Sequence, residues 1–252
     1  MLTRAILRRP GPDFAAGLTT ARLGKPDLSR MLAQHAAYAD ALRSLALQVE
    51  VLDPLPGFPD AYFVEDVAVV VPELGIVTRP GALARRGEAD AIVPALAGHR
   101  PLARLEDPAT LDGGDVLVAE RTVFIGLSTR TNVPGAEQLA RLLEPHGYRS
   151  YTVPVAAGLH LKSSVSWLGG ETLLVSRRLA DQPELRAFRH FLVDVAEEPA
   201  CNTLLVNGTL LTPAGFPKTR HQLDGTGLPV VELDLTEARK MDGGLTCMSL
   251  RL

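Results

Sequence analysis

The sequence predicts an α/β protein, a five-bladed propeller in which strand, strand, helix, strand units close into a ring, with residues 1–252 forming a single domain. Three observations carry this prediction. Short turns bearing a reactive residue type recur at Asp66, Asp115, His160, Asn202 and Cys247, at steps of 49, 45, 42 and 45 residues, a period that marks repeat architectures. Each turn adjoins a short apolar run of the kind that forms a buried strand, as in Val67–Val71, Val116–Val118, Val165–Leu168 and 204–206. Stretches with helical periodicity lie between these strand pairs.

Taken in chain order, the first helical pattern spans 27–49 and puts Leu28, Met31, Leu32, His35, Ala36, Leu42, Leu45 and Ala46 on its apolar side. Phe63 to Val71 reads as an acidic turn running into a strand, and Leu83 to Leu96 as the next helix. Asp112-Gly113-Gly114-Asp115 opens the following strand pair, and 135–144 then places Ala136, Leu139, Ala140 and Leu143 on one helix face. The last segment, Asp242 to Leu250, returns to a turn and a strand. Forty-eight residues before Asp66 stands Leu18, so six such positions span the chain; five blades accommodate them if the two ends share one blade. Closure hides the edge strands, which would otherwise recruit other chains.

At 46% hydrophobic content the chain can bury a large core. The 26 basic and 29 acidic side chains leave a net charge of −3, so neither nucleic acid nor an anionic membrane is the expected partner. The N-terminal ten residues lack the apolar stretch of a secretory signal, and no run nears the roughly 18 apolar residues that span a bilayer. A cytoplasmic location is expected. With two cysteines, one of them in the apolar stretch around Cys201, no disulfide framework is being built, and Cys247 is expected to be a free thiol.

Cys247 follows Gly243-Gly244 near the end of the sequence, a region that normally frays. A thiol there is useful if the segment is anchored beside other reactive groups. His160 is the partner the sequence offers: an imidazole can stabilise a thiolate and then protonate a leaving group. The other histidines, His35, His99, His146, His190 and His221, read as surface or capping residues. The sequence contains no metal-ligand spacing of the HExxH or CxxC kind, and Gly113-Gly114 fits neither phosphate-loop pattern, so neither a metal nor any other cofactor is expected.

Six segments in order, Phe63-Val64-Glu65-Asp66-Val67-Ala68-Val69, 78–82 with Arg85-Arg86, Leu111-Asp112-Gly113-Gly114-Asp115, 128–132, Leu159-His160-Leu161-Lys162-Ser163 and Asp242 to Cys247, resemble the dimethylarginine dimethylaminohydrolase family. The resemblance runs from Gly17 to the last residue. It implies the pentein fold, a five-bladed α/β propeller of guanidine-modifying enzymes, and hydrolysis of Nω-methylated arginines to citrulline through a covalent thiouronium.

By that resemblance Cys247 is the nucleophile, His160 the proton carrier, and Asp112 the acceptor that orients His160, one methylene shorter than the Glu found in some relatives. A guanidinium is planar and always cationic, so its site needs carboxylates. Asp60, Glu65 and Asp66 lie within seven residues and supply candidates for its N–H groups. Arg85 and Arg130 match residues facing the substrate α-carboxylate, Leu18 a lid residue, and Met241 the residue whose backbone carbonyl accepts from the α-ammonium. The implied partner is a small guanidino amino acid; pairing into a homodimer is left open. Two alternatives share much of this pattern: an arginine deiminase or amidinotransferase on the same scaffold, and an inert pentein used as a binding module.

Overall fold

A computed structural model describes residues 1–155 and 158–252. The chain begins with strand β1 (Arg4–Arg8), helix α1 (Leu28–Ser44) and strand β2 (Gln48–Leu52), β1 and β2 pairing in parallel. The second blade is β3 (Ala68–Val70), β4 (Gly75–Val77), α2 (Glu88–Ala97) and β5 (Leu102–Arg104). The third is β6 (Val116–Ala119), β7 (Thr122–Leu127), α3 (Val133–Leu143) and β8 (Arg149–Pro154), and the fourth β9 (Val165–Gly169), β10 (Thr172–Ser176) and β11 (Arg189–Val193). The fifth is β12 (Leu204–Val206), β13 (Thr209–Pro213), α4 (Pro217–Asp224) and β14 (Val230–Leu233). A short helix, α5 (Thr236–Arg239), precedes β15 (Leu250–Arg251), which pairs antiparallel to β1 and completes the first sheet from the far end of the sequence.

Each sheet thus holds an antiparallel pair followed, after a crossover, by a parallel strand, which is the order a helix-length connection permits. The innermost strands β3, β6, β9, β12 and β15 border a central cavity of about 560 Å³. The helices cover the outside, with Leu139 and Leu143 of α3 packed with Val123 and Ile125, and Ile92 and Leu96 of α2 packed with Val77 and Ile6. Among the described residues no helix is long and apolar enough to cross a membrane.

The 45-residue rhythm has a structural origin. A short 3₁₀ segment precedes the innermost strand of every blade: Val64–Val67, Gly113–Asp115, Leu161–Ser163, Val195–Cys201 and Thr246–Met248. These segments are stitched to one another around the ring. Asp66 Oδ1 accepts Gly114 N–H at 3.0 Å, and Asp115 Oδ1 accepts Leu161 N–H at 2.9 Å. Asn202 donates through Nδ2 to Lys162 O at 3.0 Å and accepts Thr246 N–H at 2.9 Å. Arg251 closes the circle, donating to Thr246 O at 3.1 Å and to Glu65 Oε1 at 2.9 Å.

Four expectations change. The fourth blade has only 3₁₀ turns, Arg177–Leu179 and Pro183–Leu185, where a helix was expected, because the connection 177–188 is shorter than 128–148, which holds α3. The helix expected from Leu83 is divided into a 3₁₀ turn, Leu83–Arg85, and α2, since Arg85 turns inward. The buried face of α1 is rotated: Met31, Gln34, His35, Tyr38, Ala39 and Leu42 point inward while Ala36 is exposed. Gln34 exchanges hydrogen bonds with Thr236 Oγ1 and Glu237 N–H, and Tyr38 meets Ser249 Oγ at 2.6 Å, so these polar groups enter the core already paired. His35 is accordingly no surface residue; burial drives its pKa down to about 4 and keeps it neutral.

Asn202 links three of the five segments and is buried. Asn202→Ala leaves Thr246 N–H and Lys162 O without partners, a cost of about 2–4 kcal/mol, and is expected to lower the thermal midpoint by roughly 5–15 °C. A calorimetric midpoint within about 2 °C of wild type would show that the stitching does not support the ring.

Candidate active site

Because the turns converge at one end of the ring, residues far apart in sequence share one small cavity with about 20 Å³ of free space. Cys247 and His160 line it together with Asp60, Asp66, Arg85 and Asp112. Leu18, Arg130 and Met241 complete the set anticipated from the sequence, so nine of the ten candidates meet there. Phe63, Leu159, Asp242 and Gly243 also line it and were not singled out by sequence reasoning.

Both glycine pairs are explained by close approach. A Cβ on Gly114 would lie 2.6 Å from His160 Nδ1, and one on Gly113 would overlap the Glu65 carbonyl. On the opposite wall, side chains at Gly243 and Gly244 would collide with Phe63 and Asn202. The cysteine segment can pack against its neighbours only with those two positions bare.

His160 is buried and held between carboxylates. Its Nε2 lies 3.0 Å from Asp112 Oδ2, and its Nδ1 lies 4.0 Å from Asp66 Oδ1. The Asp112 side chain is itself fixed by Gly81 N–H at 2.9 Å, so the shorter Asp reaches the imidazole at normal hydrogen-bond length. Burial by itself would lower the His160 pKa. Asp66, the hydrogen bond to Asp112 and the charge of Asp115 outweigh that penalty and push it up to about 9. The imidazole is therefore a cation at neutral pH. Asp66, Asp112 and His160 offer donor atoms within 4.8 Å of one another, a grouping that could accept a metal ion. In this arrangement the positive charges these carboxylates meet are the imidazolium and, at Asp66, the Arg85 guanidinium.

Cys247 behaves in the opposite way. Burial, followed by the charges of Glu65 and Asp66, pushes its thiol up to about 12, so the resting side chain is S–H rather than thiolate. Cys201 is fully buried, and its thiol is likewise held protonated by burial.

One expected substrate contact, Glu65, needs correction, and a second, Arg85, is placed in the cavity with its guanidinium already paired. Glu65 does not line the cavity: its Oε1 pairs with Lys162 Nζ at 2.6 Å and Arg251 Nη2 at 2.9 Å, beside the central cavity. Glu65 and Asp66 are consecutive in a 3₁₀ turn, where each residue rotates by about 120°, so only one of them can face inward. Arg85 lines the cavity but is already engaged. Its Nη1 donates to Asp66 Oδ2 at 2.5 Å, its Nε and Nη2 to Glu88, and Nη2 also to Asp60 O and Phe63 O at 3.2 Å. These bonds fix Asp66 and the 60–63 loop around the cavity. Arg130 is the other arginine in the lining, and its guanidinium has no hydrogen-bond partner among the described residues.

Leu18, expected as a lid residue, lies in the cavity lining. Its N–H donates to both oxygens of Asp60, at 3.1 and 2.9 Å, which draws the segment over the cavity. The central cavity adjoins neither Cys247 nor His160; a wider cleft of about 760 Å³, bordered by Thr20 to Leu23 and Asp242, also reaches Cys247, but the small cavity is the one that brings Cys247 and His160 together, which makes it the candidate reactive site.

Comparison with known proteins agrees with this geometry. A family model for arginine deiminase matches residues 26–165. The chain is 38% identical to N(G),N(G)-dimethylarginine dimethylaminohydrolase of Pseudomonas aeruginosa over 100% of both chains. It is 39% identical to the enzyme of that name from Streptomyces coelicolor, over 99% of this chain and 96% of the other. A crystal structure of the Pseudomonas aeruginosa protein, a cysteine-to-serine variant complexed with citrulline, superposes with a TM-score of 0.98 over 100% of both chains at 37% identity. The N-terminal domain of a cyanobacterial arginine dihydrolase shares the fold, with a TM-score of 0.88 at 19% identity.

The raised His160 pKa fixes a pH dependence. Between the ordinary 6.5 and about 9 the folded chain holds a proton that the unfolded chain has released, so stability is full below about 6.5 and falls as pH rises through 9. One such group sets a slope of up to about 1.4 kcal/mol per pH unit. Denaturation of wild type and His160→Gln between pH 6 and about 8.5, below the range in which the raised Cys201 and Cys247 thiols contribute, should show the slope only in wild type; parallel curves would contradict the charged imidazole.

Proposed function

The chain belongs to the dimethylarginine dimethylaminohydrolase family, and from that premise we propose that residues 1–252 act as one catalytic domain hydrolysing Nω-methylated arginines to citrulline and methylamine or dimethylamine. The observation that carries the reading is the placement of a protonated imidazole and a thiol in one carboxylate-lined cavity. The substrate guanidinium is a permanent cation, and Asp60 and Asp66 supply negative charge to receive it. Asp66 already accepts from Arg85 and Gly114, so its orientation is set before any ligand arrives.

The substrate charge replaces the thiol proton. With a guanidinium beside Cys247, the proton leaves to solvent and the sulfur becomes a thiolate, which a pKa near 12 forbids in the empty site. The thiolate adds to the guanidinium carbon. His160 gives its proton to the departing amine as the C–N bond breaks, leaving a cationic S-linked thiouronium and a neutral imidazole. His160 then takes one proton from water as the oxygen adds to the same carbon, and collapse breaks the C–S bond while the remaining hydroxyl proton passes to the departing sulfur, yielding the citrulline ureido group and the resting thiol. Asp112 keeps the imidazole oriented through both transfers. At the other end of the substrate, Arg130 faces the α-carboxylate and the Met241 carbonyl accepts from the α-ammonium. A reducing compartment keeps Cys247 a free thiol, which suits a reaction in the cytoplasm.

Citrulline release from asymmetric dimethylarginine, monomethylarginine and arginine, compared in wild type and Cys247→Ser, tests this. Turnover of the methylated substrates should fall by about 10³-fold or more in the variant. Preference for arginine would move the assignment to a deiminase, and full activity in Cys247→Ser would remove the nucleophile. Arg130→Ala is expected to raise KM about 10- to 100-fold through loss of a charged pair, with kcat changed less; an unchanged KM would exclude Arg130 from the carboxylate clamp.

A further inference from the structure

The lid is attached through carboxylates rather than apolar packing. Leu18 and Leu23 remain 43% and 54% exposed, so little surface is buried when the segment lies down. Besides the Leu18 bond to Asp60 and one from Lys240 Nζ to Lys25 O at 3.3 Å, the attachment converges on one atom, Asp242 Oδ2. It accepts Thr20 N–H at 2.5 Å, Thr20 Oγ1–H at 3.1 Å and Ala21 N–H at 3.3 Å. The Thr19 hydroxyl lies 3.0 Å from the same oxygen and 3.1 Å from Lys240 O.

Asp242 is placed for this by its backbone. Its φ of 58° is left-handed, a region aspartate tolerates better than most side chains. The two residues beside it, Met241 and Gly243, line the cavity, and Cys247 follows on the same segment. The attachment of the lid and the nucleophile are thus carried by one stretch of chain.

Resting on the reading of the cavity as the substrate site, we propose that Asp242 is a positioning residue whose carboxylate latches the lid, holding Leu18 over the bound amino acid. A charged acceptor forms hydrogen bonds roughly twice as strong as a neutral one, and Asp242 gathers several on one oxygen. Replacing the carboxylate by an amide weakens every one of them while keeping the shape and the left-handed backbone that asparagine also adopts.

The lid carries its own reporter. Arg22 is exposed in it, and Lys25 is followed by Pro26, which blocks trypsin, so cleavage of the lid falls after Arg22. In Asp242→Asn, cleavage after Arg22 should be about tenfold faster than in wild type, with the thermal midpoint unchanged and KM raised more than kcat is lowered. Thr20→Val, which alters the lid and leaves the cavity lining intact, should speed cleavage to a smaller degree. The double variant should be no faster than Asp242→Asn, because both changes break the same contact. Wild-type cleavage in Asp242→Asn, or strict additivity with Thr20→Val, would overturn the latch. Cleavage needs no turnover: faster cutting in a protein whose wild type releases no citrulline would uphold the latch and refute the substrate assignment.

Discussion

The structure depends on side chains that satisfy backbone groups of the next blade. Asp66, Asp115 and Asn202 each accept an amide N–H from a neighbouring 3₁₀ segment, and Arg251 joins the last segment to the first. Short 3₁₀ turns have few internal hydrogen bonds, so their buried amides need acceptors from elsewhere. Drawing those acceptors from adjacent blades makes one set of bonds serve two ends: it closes the ring and it fixes the positions of the residues the turns present. Asp66 shows the overlap most directly, since it holds Gly114, is held by Arg85, and sits beside His160.

The same economy governs the charges. An arginine buried with Asp66 and Glu88 is costly to bring out of water and gains its place only with several good partners. Arg85 has them, and the outcome is an Asp66 carboxylate anchored by a buried partner. His160 is kept protonated by surrounding acids, while the thiol is kept protonated by burial and by those same acids. The carboxylates beside the thiol favour an arriving cation and oppose a bare thiolate. On the proposed mechanism the Cys247 thiol therefore becomes reactive in company with a positively charged ligand.

Much of this was legible in the sequence because it repeats. The spacing of Asp66, Asp115, His160, Asn202 and Cys247 reports the recurring 3₁₀ segment, and Asp112, His160 and Cys247 do meet. Direction was harder to read than position. Glu65 and Arg85 are the residue types a guanidino amino acid site requires, yet one points to Lys162 and Arg251 and the other is taken up by Asp66 and Glu88. Asp242 escaped notice for a related reason: its partners stand more than two hundred positions away, and nothing local marks it as the anchor of Thr20. On α1, Gln34 and Tyr38 enter the core because Thr236 and Ser249 wait for them, which a helical hydrophobic pattern does not encode.

The first blade is made from both ends of the sequence, with Thr3 N–H donating to Leu252 O at 2.7 Å and β15 lying against β1. Topologically such a ring has no beginning. Joining residue 252 to residue 1 through a short linker and opening the chain at an exposed turn such as Gly147, away from the cavity, would renumber every blade and leave each of its neighbours unchanged. In that circular permutant the thiol would lie deep inside the chain, so its place near residue 252 is a matter of where the circle happens to be cut rather than a requirement of the chemistry.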